Sequence, residues 1–117
     1  MDRKISEYFT RKEFACRCGC GFDTVDAELV ALLDRIRGYF QAPVIVSSCC
    51  RCEAHNRQVG GTKGSQHLKG RAADFTVTGK TPEEVQRYAD LIGVPGLGFY
   101  DSFTHIDTRQ GQARWGG

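Results

Sequence analysis

Several things scarce in this sequence set its first limits. No stretch approaches the roughly 18 consecutive apolar residues of a membrane span, so none is expected. The opening Met1–Glu7 is charged, where a secretory signal peptide carries an apolar core. The chain is therefore expected to be made in the cytoplasm without a secretion signal of its own. Neither sign of charge dominates: 16 Lys+Arg against 14 Asp+Glu leave a net charge of +2, too little for a strong polyanion-binding field. Nucleic acid is thus not an expected partner. Only three prolines are present, with no Pro- or Ser-rich linker, internal repeat or low-complexity tract. At 117 residues and 40% hydrophobic content, one core and one domain, 1–117, are expected, as a monomer.

Cysteine, by contrast, is plentiful. Six fall in two groups, Cys16, Cys18 and Cys20, then Cys49, Cys50 and Cys52. Spacing alone leaves bridges, thiolate-bound metal and free thiols open, because the Cys-x-Cys gap is tighter than that of common zinc knuckles. A second ion held by cysteines stays among these alternatives. In each case the groups are expected to tie the loop near residue 18 to the loop near residue 51.

The pattern of apolar residues predicts an α+β fold, a small antiparallel sheet flanked by helices. Leu29, Leu32, Leu33, Ile36 and Phe40 recur at three and four, which marks a helix over 26–40. Residues 43–47 read as a strand after a proline, 51–59 as a short helix, 60–65 as a glycine loop and 71–77 as a second strand. Thr81-Pro82-Glu83-Glu84 is a capping box that opens a helix through Ile92. Segments 97–100 and 103–108 then predict a hairpin around Asp101-Ser102.

Three histidines exist, and two stand near aspartates. His67 and Asp74 are seven residues apart, about 10.5 Å along a helix and too far to share one ion. If Gly70 bends the chain between a loop and a strand, the two side chains can meet on one metal. Strand alternation turns His105 and Asp107 to one face. The histidines alone would pass as ordinary ones. Asp74, between alanine and Phe75 in an apolar strand, argues for a partner or a metal, because burying a lone carboxylate costs several kcal/mol. His55 reads as structural.

Ser65, His67, Gly70, Ala72 and Asp74 fill a Ser-x-His-x-x-Gly-x-Ala-x-Asp pattern, and His105 follows about thirty residues later. This resembles the zinc D-alanyl-D-alanine peptidases, the peptidase M15 family, whose fold is shared with the hedgehog signalling domain. Val46–Arg51, Glu53–Asn56, Gly60-Gly61, Gly96–Tyr100 and His105–Asp107 extend the resemblance over most of the chain. Phe14–Gly21 looks like a small subgroup associated with phage and prophage genes. The resemblance implies one catalytic Zn²⁺ on His67, Asp74 and His105, with peptidoglycan stem peptides as substrate and a wall reached after release from the cell. It also implies that Arg51 binds the substrate carboxylate or the developing oxyanion, with Ser65 and Gln66 touching the peptide. Better-known members carry a histidine two residues before the last ligand or an acid three residues before it. Here those positions hold Phe103 and Ser102, so Asp107, which alternation turns toward the metal, is the expected general base or else the group that orients His105, with Asp101 the reserve base. A non-catalytic zinc-stabilised binding or phage structural module is the alternative.

Overall fold

The computed structural model describes residues 4–116. Its order is a 3₁₀ turn (Arg11–Phe14), α1 (Ala27–Phe40), β1 (Val44–Ser48), α2 (Glu53–Gln58), a second 3₁₀ turn (Gln66–Lys69), β2 (Ala72–Val77), α3 (Pro82–Leu91), β3 (Gly96–Phe99), β4 (Thr104–Asp107) and β5 (Ala113–Gly116). The strands form one sheet ordered β1-β2-β4-β3-β5. This is the expected α+β architecture. Pairing is antiparallel except for β5, which runs parallel to β3 and was not expected from sequence.

Local signals place the helices. Asp26 caps α1 by accepting from the Leu29 N–H, and Leu29, Val30, Leu33 and Ile36 form its buried stripe. Both halves of the Thr81/Glu84 capping box are present on α3, with Pro82 at its start. Gly70, in the left-handed region, ends the 3₁₀ turn that carries His67 and turns the chain into β2. A side chain there would strike the Thr24 carbonyl as well as strain the backbone.

The sheet has two unlike faces. Val44, Val46, Phe75, Val77, Ala73, Ile106 and Leu97 join the stripes of α1 and α3 in the core. The opposite face carries one transverse row, Ser48–Asp74–His105–Gly98–Trp115, with one residue from each strand in strand-to-strand register. Because β2 and β4 are inner strands, Asp74 and His105 are flanked by backbone on both sides and are 8% exposed each. A bulge at Ser47 shifts the β1 register so that Ser48 stands opposite Asp74. Among the described residues no helix is long and apolar enough to cross a membrane.

Candidate metal centre

His67, Asp74 and His105 meet on the sheet's open face, with one donor atom of each within 4.8 Å of the others. The His67 Nδ1–H donates to the Cys49 carbonyl at 2.8 Å. In the neutral ring that leaves Nε2 as the atom open to a metal, and in the protonated ring Nε2–H faces Asp74 Oδ2 at 3.3 Å. His105 directs Nε2 at Asp107 Oδ2 and Nδ1 at Asp74 Oδ1, each at 2.8 Å. A tetrahedral ion with ligands at roughly 2.0–2.1 Å has donor–donor edges of about 3.3 Å, the separation of His67 Nε2 from Asp74 Oδ2, while the 2.8 Å His105–Asp74 contact is a hydrogen-bond length. The donor set therefore fits zinc: two imidazole lone pairs, each backed by a hydrogen bond on the far nitrogen, and one carboxylate.

Electrostatics favour the same occupant. Burial raises the Asp74 pKa, but hydrogen bonds from His105 and His67 outweigh it and hold the carboxyl below its usual range. Burial lowers the His105 pKa, yet the bonds to Asp107 and Asp74 prevail and raise it. Without metal, the proton on His105 Nδ1 sits on the side where an ion would lie, so proton and cation compete for one lone pair.

The surrounding cavity measures about 470 Å³ and is bordered by Arg51, Gln66, Tyr100, Arg109 and Trp115 as well as the three donors. Arg51 Nε donates to Ser48 Oγ at 2.9 Å, Nη1 to Asn56 Oδ1 at 3.2 Å and Nη2 to Asp74 Oδ2 at 3.1 Å. The guanidinium is thus rigidly aimed, with its remaining N–H groups available to a ligand. Gly61 makes the Arg51–Asn56 bond possible, since a methyl there would lie 2.7 Å from Asn56 Cγ and 3.1 Å from Arg51 Nη1. Ser65 and Gln66 both border the cavity, and Ser65 Oγ also accepts the His67 N–H at 3.2 Å.

Neither carboxylate expected as base reaches this cavity. Asp107 is fully buried behind His105, with Oδ2 accepting from Arg109 Nη2 at 2.7 Å and Oδ1 from Arg109 Nε at 2.8 Å. Burial raises its pKa, but Arg109 and His105 more than reverse this and lower it. The strand alternation that aligns Asp107 with His105 also puts it one row deeper, beside Gly96, where a methyl would collide with the carboxylate. Asp101, exposed at the hairpin tip, borders a neighbouring groove with Thr81 and Gln86. His55 lies on α2, outside the residues that border the cavity.

Tyr100, Arg109 and Trp115 border the cavity and were given no role from the sequence. Trp115 Nε1 donates to Tyr100 Oη at 3.0 Å, Arg109 Cζ lies 4.7 Å from the Trp115 ring centre, and the Trp115 ring is 5.0 Å from that of His105. The step of two from His105 through Asp107 to Arg109 was a usable sign. β5 is only four residues long and ends on a glycine.

Two donors on the inner strand pair and a third on the preceding turn form an open-sided His-Asp-His group beside an aimed guanidinium, an arrangement that could hold a metal ion. The peptidase M15 family model matches residues 7–107, and the chain belongs to that family of zinc metallopeptidases. No curated protein matches the chain closely enough to add to this. Arg109 and Trp115 lie past the matched range.

Proposed function

We propose that this protein hydrolyses peptidoglycan stem peptides, as a D-Ala-D-Ala carboxypeptidase or as an L,D- or D,D-endopeptidase, acting on the wall after release. The observation that carries the reading is the pairing of the His67–Asp74–His105 centre with two guanidiniums, Arg51 and Arg109, on one cavity. Stem peptides are rich in carboxylates, and a planar guanidinium binds carboxylate in a bidentate way that a point charge does not.

His67, Asp74 and His105 would hold the zinc. When bound, the ion supplies Lewis-acid polarisation of the scissile carbonyl and lowers a water's pKa to about 7. Arg51 orients the substrate carboxylate or stabilises charge on the carbonyl oxygen. Ser65 and Gln66 line the path of the peptide. Asp107 is a positioning residue that keeps Nε2 of His105 protonated and Nδ1 free, and Arg109 holds it there. Because Tyr100 Oη accepts from Trp115, its own proton is free to be donated toward the leaving nitrogen.

The second reading, a non-catalytic zinc-stabilised binding module, is favoured by one observation: among the described residues, Asp74 is the only carboxylate bordering the cavity. Zinc-loaded protein incubated with purified muropeptides separates the two. Loss of one alanine or a split stem, read by mass spectrometry, supports the peptidase. Intact D,D and L,D substrates in the presence of fully loaded protein support the binding module.

A further inference from the structure

A second cluster of metal-binding side chains lies outside the cavity. Cys16, Cys18, Cys20 and Cys52 each place a sulfur within 4.8 Å of the other three. The Sγ–Sγ separations are 3.4 Å for Cys16–Cys18, 3.6 Å for Cys18–Cys52 and 3.9 Å for Cys16–Cys52. Zinc–thiolate bonds of roughly 2.3 Å in a tetrahedron give sulfur–sulfur edges of about 3.8 Å. The spacing is that of four ligands around one ion. An S–S bond would require two sulfurs at about 2.05 Å, and none of these separations approaches that.

The backbone is arranged for thiolates. Cys16 Sγ accepts the Cys52 N–H at 3.4 Å, and Cys52 Sγ, at the start of α2, accepts the His55 N–H at 3.5 Å. Gly19, at φ 83°, closes a turn on the Cys16 carbonyl, so three closely spaced cysteines share one side of a loop rather than alternating along a strand. The other two cysteines are used differently. Cys49 and Cys50 are 1% exposed and pack in the core, with Cys50 Sγ directed at the Thr24 carbonyl.

We propose that Cys16, Cys18, Cys20 and Cys52 form a structural zinc site, separate from the His67 centre, that fastens the N-terminal loop to the junction of β1 and α2. Four thiolates leave no open position, so the site is structural rather than catalytic. Its position gives it a second consequence. Cys52 follows Arg51, and this segment is already joined to the N-terminal region by Cys50 N–H to Phe14 O and to the His67 turn by Arg51 N–H to His67 O, both 3.0 Å. The ion would stiffen the backbone from which Arg51 reaches into the cavity.

The test uses the reduced, full-length chain with Co²⁺ as the probe and zinc content by elemental analysis. A His67→Ala/His105→Ala variant is expected to bind one Co²⁺ and show the intense near-ultraviolet thiolate-to-cobalt charge-transfer band. A Cys18→Ser/Cys20→Ser variant is expected to lose that band and one equivalent of metal relative to wild type. Should the cysteine variant fail to fold, the histidine variant decides alone, together with thiol titration of wild type before and after chelation. Thiols shielded until the chelator is added support the site. A folded, reduced protein with no charge-transfer band, or with thiols equally reactive at both stages, overturns it.

Discussion

Replacing Asp107 by asparagine separates holding a histidine from accepting a proton. In the native site Oδ2 takes the His105 Nε2–H and an Arg109 N–H, while Oδ1 takes two more donors from Arg109. An amide can satisfy only one side. If its oxygen stays with Arg109 at Oδ1, its NH₂ faces His105 Nε2, which must then accept; the ring proton moves to Nδ1 and blocks the lone pair that zinc needs. If it turns the other way, the NH₂ abuts the Arg109 guanidinium inside a fully buried pocket. Either outcome forfeits a hydrogen bond to a charged group, about 1.5–3 kcal/mol, which corresponds to a zinc Kd weakened about 10- to 100-fold. Chelator competition at fixed pH measures that Kd, and circular dichroism confirms that the variant is folded. With saturating zinc, much of kcat should return. An unchanged zinc Kd with collapsed kcat would refute the reasoning and make Asp107 the proton acceptor after all.

Other expectations follow from the same geometry. Gly96→Ala drives a methyl into the Asp107 carboxylate without altering any charge, so zinc affinity should fall in the same direction, by the same chelator assay. Arg51→Lys keeps the charge but cannot span Ser48, Asn56 and Asp74 together; kcat/KM on muropeptides should drop about 10²-fold while zinc content by elemental analysis is unchanged. Thr81→Ala removes the α3 cap on the far side of the sheet and should cost about 1 kcal/mol, lowering Tm by about 4 °C in a calorimetric scan with no effect on zinc Kd. Removing metal should lower Tm as well, since the three ligand side chains converge only in the folded chain; restoring it to about 1,000 times Kd should add about 4 kcal/mol, seen as a zinc-dependent rise in the melting curve.

Much of the molecule was legible without coordinates because the signals are local. The stripe of α1, the Thr81/Glu84 box of α3 and the bend at Gly70 each depend on residues a few positions apart, and each is present. Asp74 stood out because a carboxylate in an apolar strand calls for a partner, and it was the family resemblance that joined His67 and His105 to it. What only the tertiary structure decided depends on register between distant strands. Strand alternation puts His105 and Asp107 on one face, yet it cannot say that Gly96 and Arg109 enclose Asp107 a row below the cavity. Nor does spacing reveal that the Ser47 bulge sets Ser48 opposite Asp74, that β5 brings Trp115 beside His105, or that Cys52 alone of its group joins Cys16, Cys18 and Cys20. Periodicity along a chain reports which face a residue occupies; which neighbour it meets there is set by the packing of the whole sheet.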